Sequence, residues 1–167
     1  MSNPPDKPTR DWVPSAYFAS IDVQCPIERA WLILLNYQAW NPHFAGVSVS
    51  RVQGTPPGEG EIVLIQDRVP YIEGEPPPEF YAETLALRAP YQVVWCVFSK
   101  HGPEFRNFVD FGLTQTSGGV RFEVRYYEQL TISGEKLAAH RSESASVYSN
   151  LVAAFKAYAE SAVKSDG

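Results

Sequence analysis

The chain has 167 residues, 44% of them hydrophobic and 20% charged, with a formal net charge of −5. That length suits one domain and that composition a globular protein. An acidic chain with scattered Lys and Arg excludes nucleic-acid binding through a basic stripe and offers no cationic face to an anionic membrane. No run approaches the ~18 apolar residues that span a bilayer, so membrane insertion is not expected. The first stretch, "MSNPPDKPTRDWVPS", has no apolar signal core, so a cytoplasmic location is the expectation. Cys25 and Cys96 form no CxxC or Cys/His cluster; no metal site is expected, although the count allows one disulfide.

Residues 1–15 hold four prolines and read as a flexible arm, leaving 16–167 as a single domain. Tyr17, Ala19, Ile21 and Val23 alternate with Phe18, Ser20 and Asp22, the pattern of a half-buried strand. In "CPIERAWLILLNYQAW", Pro26 suits the first helical position and Glu28 complements the helix dipole. Ile27, Ala30, Trp31, Leu34 and Leu35 recur at helical spacing, giving an amphipathic helix of about three turns. Asn41-Pro42 opens one further short turn, "NPHFAG", which Gly46 ends.

Strands are predicted at 47–52 and 62–66, separated by "TPPGEGE". The proline-rich "RVPYIEGEPPPE" follows, readable either as a lid with Tyr71 and Ile72 beneath it or as a surface loop. "FYAETLALRAPYQVVWCVFS" supplies two strands broken near Ala89-Pro90. "FRNFVDFGLTQ" and "VRFEVRYYEQLT" form a hairpin in which Gly118-Gly119 supplies positive φ values. "ISGEKLAAHRSE" reads as a loop. A helix of about five turns closes the chain, with Tyr148, Leu151, Val152, Phe155, Tyr158, Ala159 and Ala162 on one face. An antiparallel sheet with a long helix on one face is an α+β architecture.

Four pieces carry a resemblance: "IDVQCPIERAWLILLNYQAWNPHF", "LRAPYQVVW", "FGLTQTSGGVRFEV" and "LVAAFKAYAE". Their order and spacing resemble the START-like or Bet v 1-like superfamily, the SRPBCC group of polyketide cyclase/dehydrase and lipid-transport proteins. The resemblance implies a helix-grip fold: a curved antiparallel sheet of about seven strands wrapped round the long C-terminal helix. It also implies an internal apolar cavity, closed at one end by two short N-terminal helices, with Trp40, His43 and Phe44 beside its mouth. Members include ligand carriers, sensors, aromatases and cyclases, so the fold leaves function open.

Strand parity sorts the remaining candidates. Three buried charges on one strand would be too costly, so Arg121, Glu123 and Arg125 face water. Val120, Phe122, Val124, Tyr126 and Glu128 then point inward. The same argument turns Asn107, Val109, Phe111 and Leu113 inward, and Trp95, Val97 and Ser99 are the inward choice on the strand before. Leu85 and Leu87 inside carry Tyr81 and Glu83 inside with them. A carboxylate there would have a raised pKa and serve as acid or base; the alternative is a bulge that turns Glu83 to solvent. His43 is either a proton donor or acceptor at the pocket mouth or a surface histidine on a short turn.

The expectation is therefore a small hydrophobic or aromatic ligand, phenolic or polyketide-like, bound by Trp40, Phe44, Tyr81, Trp95, Asn107, Phe122, Tyr148 and Phe155. Acid–base chemistry of the cyclase, dehydratase or lyase type would use Glu83, His43 and Tyr126 and no cofactor. Several ionisable groups in one cavity favour an enzyme; one or none favours a carrier. A co-chaperone-like interaction module predicts instead a collapsed cavity and an exposed apolar patch.

Overall fold

Seven antiparallel strands make one curved sheet in the order β1-β7-β6-β5-β4-β3-β2. The computed structural model describes residues 13–44, 47–67, 74, 76, 79–99, 106–130 and 134–165. β1 (Val13–Val23) is followed by α1 (Ile27–Leu35), α2 (Tyr37–Trp40) and a 3-10 turn at Pro42–Phe44. The meander β2 (Val47–Gln53), β3 (Ile62–Asp67), β4 (Glu79–Arg88), β5 (Gln92–Ser99), β6 (Arg106–Thr116) and β7 (Gly119–Leu130) leads to α3 (Gly134–Ser165). Among the described residues, no helix is long and apolar enough to cross a membrane.

Inward parity on β6 and β7 follows the charge argument. Phe111, Leu113, Val120, Phe122 and Val124 are buried. On the outer face Arg125 pairs with Asp110 at 3.3 Å and Glu123 at 3.1 Å. The core lies where α3 meets this half of the sheet. The Phe122 and Phe155 rings stack at 4.0 Å, and Trp40 meets Phe155, Phe122 and Phe111 edge-on at 5.0, 5.7 and 6.3 Å. Neither Cys25 nor Cys96 is in a disulfide; both are buried, and burial raises the Cys25 thiol pKa.

Several expectations need correction. β1 begins at Val13, so Val13, Pro14 and Ser15 of the expected arm are strand residues; residues 1–12 lie outside the described set. The segment after α1 holds a short helix, α2, before the 3-10 turn; Gly46 is outside the described residues. In the β6–β7 turn only Gly119 has a positive φ, 147°.

α3 is 32 residues long and absorbs most of the stretch read as a loop. That stretch has good helix formers (Glu135, Lys136, Leu137, Ala138, Ala139) but no apolar stripe. Tyr158, assigned to the buried stripe, is 37% exposed. Most of the proline-rich segment 68–78, with Tyr71 and Ile72, lies outside the described residues.

Candidate functional site

A cavity of about 510 Å³ opens between the N-terminal helices and the concave face of β2–β5. α1 and α2 contribute Leu34, Leu35 and Tyr37, and the 3-10 turn contributes Phe44. The sheet supplies Val49, Val63, Ala82, Thr84, Val93, Trp95 and Phe111. The aromatic wall is interlocked: Tyr37 meets Trp95 edge-on at 4.8 Å and Phe44 at 4.8 Å, and Trp95 meets Phe111 at 5.1 Å. Such contacts hold the rings at fixed angles, so the wall is formed before any ligand arrives.

Three ionisable side chains, Tyr37, Arg51 and Glu61, line this apolar space. Arg51 Nε donates to Glu61 Oε1 at 3.4 Å, and the Glu61 side chain is 13% exposed. A backbone tie fixes Glu61, since Thr84 N donates to Glu61 O at 2.9 Å and Gly60 N to Thr84 O at 2.8 Å. Burial pushes the Tyr37 phenol pKa up; the Glu61 charge raises it further and Arg51 pulls it down. Among the described residues, neither the Tyr37 hydroxyl nor the Arg51 Nη groups have a hydrogen-bond partner. Arg51 follows Val47 and Val49 at strand spacing on β2, a signal that was available in the sequence. Tyr37 and Glu61 carried no such signal, because each sits just outside a periodic run.

Of the expected site residues, Phe44 and Trp95 line the cavity. Trp40, Phe122 and Phe155 belong to the packed core instead, and Trp40 Nε1 donates to Leu34 O at 3.4 Å. Tyr81 and Glu83 lie on the outer face: the inward parity reading fails, and a bulge, its stated alternative, is present. The β4–β5 register shifts between Thr84 and Ala86, so Ala82 and Thr84 face the cavity on one side of the bulge and Leu87 on the other. Tyr81 stacks on Phe98 at 5.5 Å on that outer face. The His43 backbone lies in the 3-10 turn, and its side chain is outside the described residues.

Tyr126, Asn107 and Tyr148 form a separate group under the first half of α3. Tyr126 stacks on Tyr148 at 4.8 Å, and Tyr148 on Tyr17 at 5.8 Å. Asn107 Nδ2 donates to the Tyr126 hydroxyl. Glu128, 6% exposed, meets His140 Nε2 at 2.8 Å; His140 lies on α3, not in the expected loop, with its side chain 34% exposed. Burial raises the Tyr126 and Tyr148 phenol pKa values, and the Glu128 charge adds to both. Asn107 Oδ1 and the Tyr17 hydroxyl are buried without a hydrogen-bond partner among the described residues.

No protein-family model matches the chain, and no curated protein matches it. Solved structures do. The di-domain ARO/CYC StfQ from the steffimycin biosynthetic pathway superposes with a TM-score of 0.65 at 13% identity, covering 90% of this chain and 52% of that one. Ara h 8.0201 gives 0.63 at 10% identity, covering 89% and 99%. The Zhui aromatase/cyclase from Streptomyces sp. R1128 gives 0.58 at 14% identity, covering 93% and 99%. The chain has the Bet v 1-like, or START-like, helix-grip fold.

Proposed function

We propose that the protein binds a small, planar, hydrophobic molecule in the cavity between the N-terminal helices and β2–β5. The observation that carries this reading is the cavity's composition: a preformed aromatic wall with Arg51, Glu61 and the Tyr37 hydroxyl beside it. Apolar walls give affinity, and the polar groups orient the ligand. Structural neighbours whose names include an aromatase/cyclase support the reading at the level of fold. An open cavity also argues against the interaction-module alternative, which expects a collapsed one.

The test is fluorescence titration with 1-anilinonaphthalene-8-sulfonate, whose rings suit the wall and whose sulfonate suits Arg51. Saturable one-to-one binding is expected, weakened roughly tenfold or more in Arg51→Leu through loss of a charge-assisted contact. Trp95→Ala should weaken it as well, with an unchanged fold by circular dichroism. Absence of saturable binding to the folded wild-type chain would sink the reading.

A second reading, cofactor-independent acid–base chemistry, is favoured by the three ionisable groups at this cavity. The Glu61 carboxylate would take a proton from an enolisable carbon, and the Tyr37 hydroxyl would hydrogen-bond the oxygen that gathers the negative charge. Glu61 would then return the proton. Deuterium exchange at the α-carbon of 2-tetralone measures this step. Acceleration over buffer that is lost in Glu61→Gln supports it, and no acceleration refutes it.

A further inference from the structure

One row of residues crosses the concave face from strand to strand: Arg51, Val63, Ala82, Val97 and Asn107 are successive register partners from β2 to β6. Both ends are polar and the three residues between them are small and apolar. At ~4.8 Å per strand the row spans roughly 19 Å between its end Cα atoms, less as the sheet curves, and the two end side chains shorten the gap further. Arg51 stands in the cavity, and its Nη groups have no hydrogen-bond partner among the described residues. At the other end Asn107 is 3% exposed, its Nδ2 donates one hydrogen bond to the Tyr126 hydroxyl, and its Oδ1 has no partner among the described residues. A buried acceptor left unsatisfied is costly, and here it lies at the end of an apolar floor that begins at a cation.

We infer that this row is a ruler for an elongated, flat ligand, with an anionic group at Arg51 and a hydrogen-bond donor, hydroxyl or amine, at Asn107 Oδ1. This rests on the cavity being a ligand site and adds the chemistry and length of what occupies it. Arg51, Val63 and Ala82, the first three residues of the row, line the 510 Å³ cavity, which would hold the anionic end and its ring; the far end would run on past that lining, over Val97 to Asn107. Tyr126, hydrogen-bonded to the amide, is itself only partly buried, and a turn of its ring would admit the donor. A donor matches this end because one Nδ2 hydrogen of the amide goes to the Tyr126 hydroxyl, whereas the carbonyl oxygen has no partner among the described residues. Three linearly fused rings fit the span better than one or two.

The experiment is calorimetric titration of the full chain with 6-hydroxyanthracene-2-carboxylate, its 6-methoxy ether, and 2-hydroxyanthracene. The hydroxy acid should bind at least about tenfold tighter than the methoxy acid, which cannot donate to Asn107. That comparison needs no variant. Asn107→Leu should bring the ratio to about one and leave methoxy-acid affinity unchanged. Its melting temperature should stay within a few degrees of wild type, because removal of the orphaned acceptor offsets loss of the hydrogen bond to Tyr126. Arg51→Leu should remove the preference for the carboxylate while retaining the hydroxyl preference. A wild-type ratio near one, or a ratio that survives Asn107→Leu, would overturn this inference and leave the cavity reading standing. A destabilised Asn107→Leu chain with an unchanged ratio would mean that Asn107 serves the fold, through Tyr126, and not a ligand. If the wild-type chain binds none of the three compounds, both readings fall.

Discussion

Gly119 opens β7 at φ 147°, and a Cβ there would run into the Val23 carbonyl and lie 2.9 Å from Cys25 N. Backbone atoms cannot move aside as a side-chain tip can. Gly119→Ala should therefore cost at least ~2 kcal/mol, lowering the melting temperature by roughly 4–8 °C in a chain of this size; a thermal scan checks it. Glu83 makes the opposite case. It lies on the outer face beyond the bulge, so Glu83→Gln should leave anilinonaphthalene sulfonate affinity within about twofold and stability within ~0.5 kcal/mol. A larger loss of affinity would return Glu83 to the site. These two residues mark what was legible in the sequence. The β7 parity could be read because Arg121, Glu123 and Arg125 cannot all be buried. The β4 parity could not, because the bulge at Thr84–Ala86 leaves no mark on "FYAETLALR", where apolar and polar residues occupy both faces.

α3 joins two unlike halves. Leu151, Val152, Phe155 and Ala159 are buried, whereas no described residue from Gly134 to Asn150 is. The first half is tied to the sheet by polar contacts: His140 to Glu128 at 2.8 Å and Arg141 to Ser15 at 3.2 Å, beside the Tyr148 stack. This is why the sequence disclosed only the second half, since periodicity reports a buried stripe and the first half has none. His140→Ala would leave the buried Glu128 carboxylate without its imidazole. It should cost ~1–3 kcal/mol and speed amide exchange between Gly134 and Val147 while leaving Leu151–Ala159 protected. Uniform acceleration along the whole helix would show that the two halves act as one unit.

For the molecule as a whole, charge sets the pH limits. The Arg121 guanidinium holds Asp22 below its usual pKa, and the Gln24 backbone N–H does the same for Glu160. A carboxylate with a depressed folded pKa contributes stability that is present above its unfolded value and lost as pH falls through the folded one. The melting temperature should thus hold between pH 7 and 5 and fall below the ordinary values of 4.5 and 3.8. In Asp22→Asn/Glu160→Gln that fall should be shallower. On the alkaline side Tyr126 and Tyr148 have raised pKa values, so their contribution is intact below the ordinary 10.0 and lost as pH rises beyond it. A double variant that falls as steeply as wild type between pH 5 and 3 would assign the acid limit to other carboxylates.

The sheet order has a consequence for how the chain is made. β2 through β7 each pair with a strand next to them in sequence, but among the described residues β1 pairs only with β7, the last of the described strands. At ~5–20 residues per second, the roughly hundred residues between partners take about 5–20 s to emerge. Throughout that interval β1 has no sheet partner, and α1 lacks the β7 and α3 surfaces on which it comes to rest. The helix-grip is thus shut from its two ends last, and the nascent chain exposes a sticky edge for most of its own synthesis.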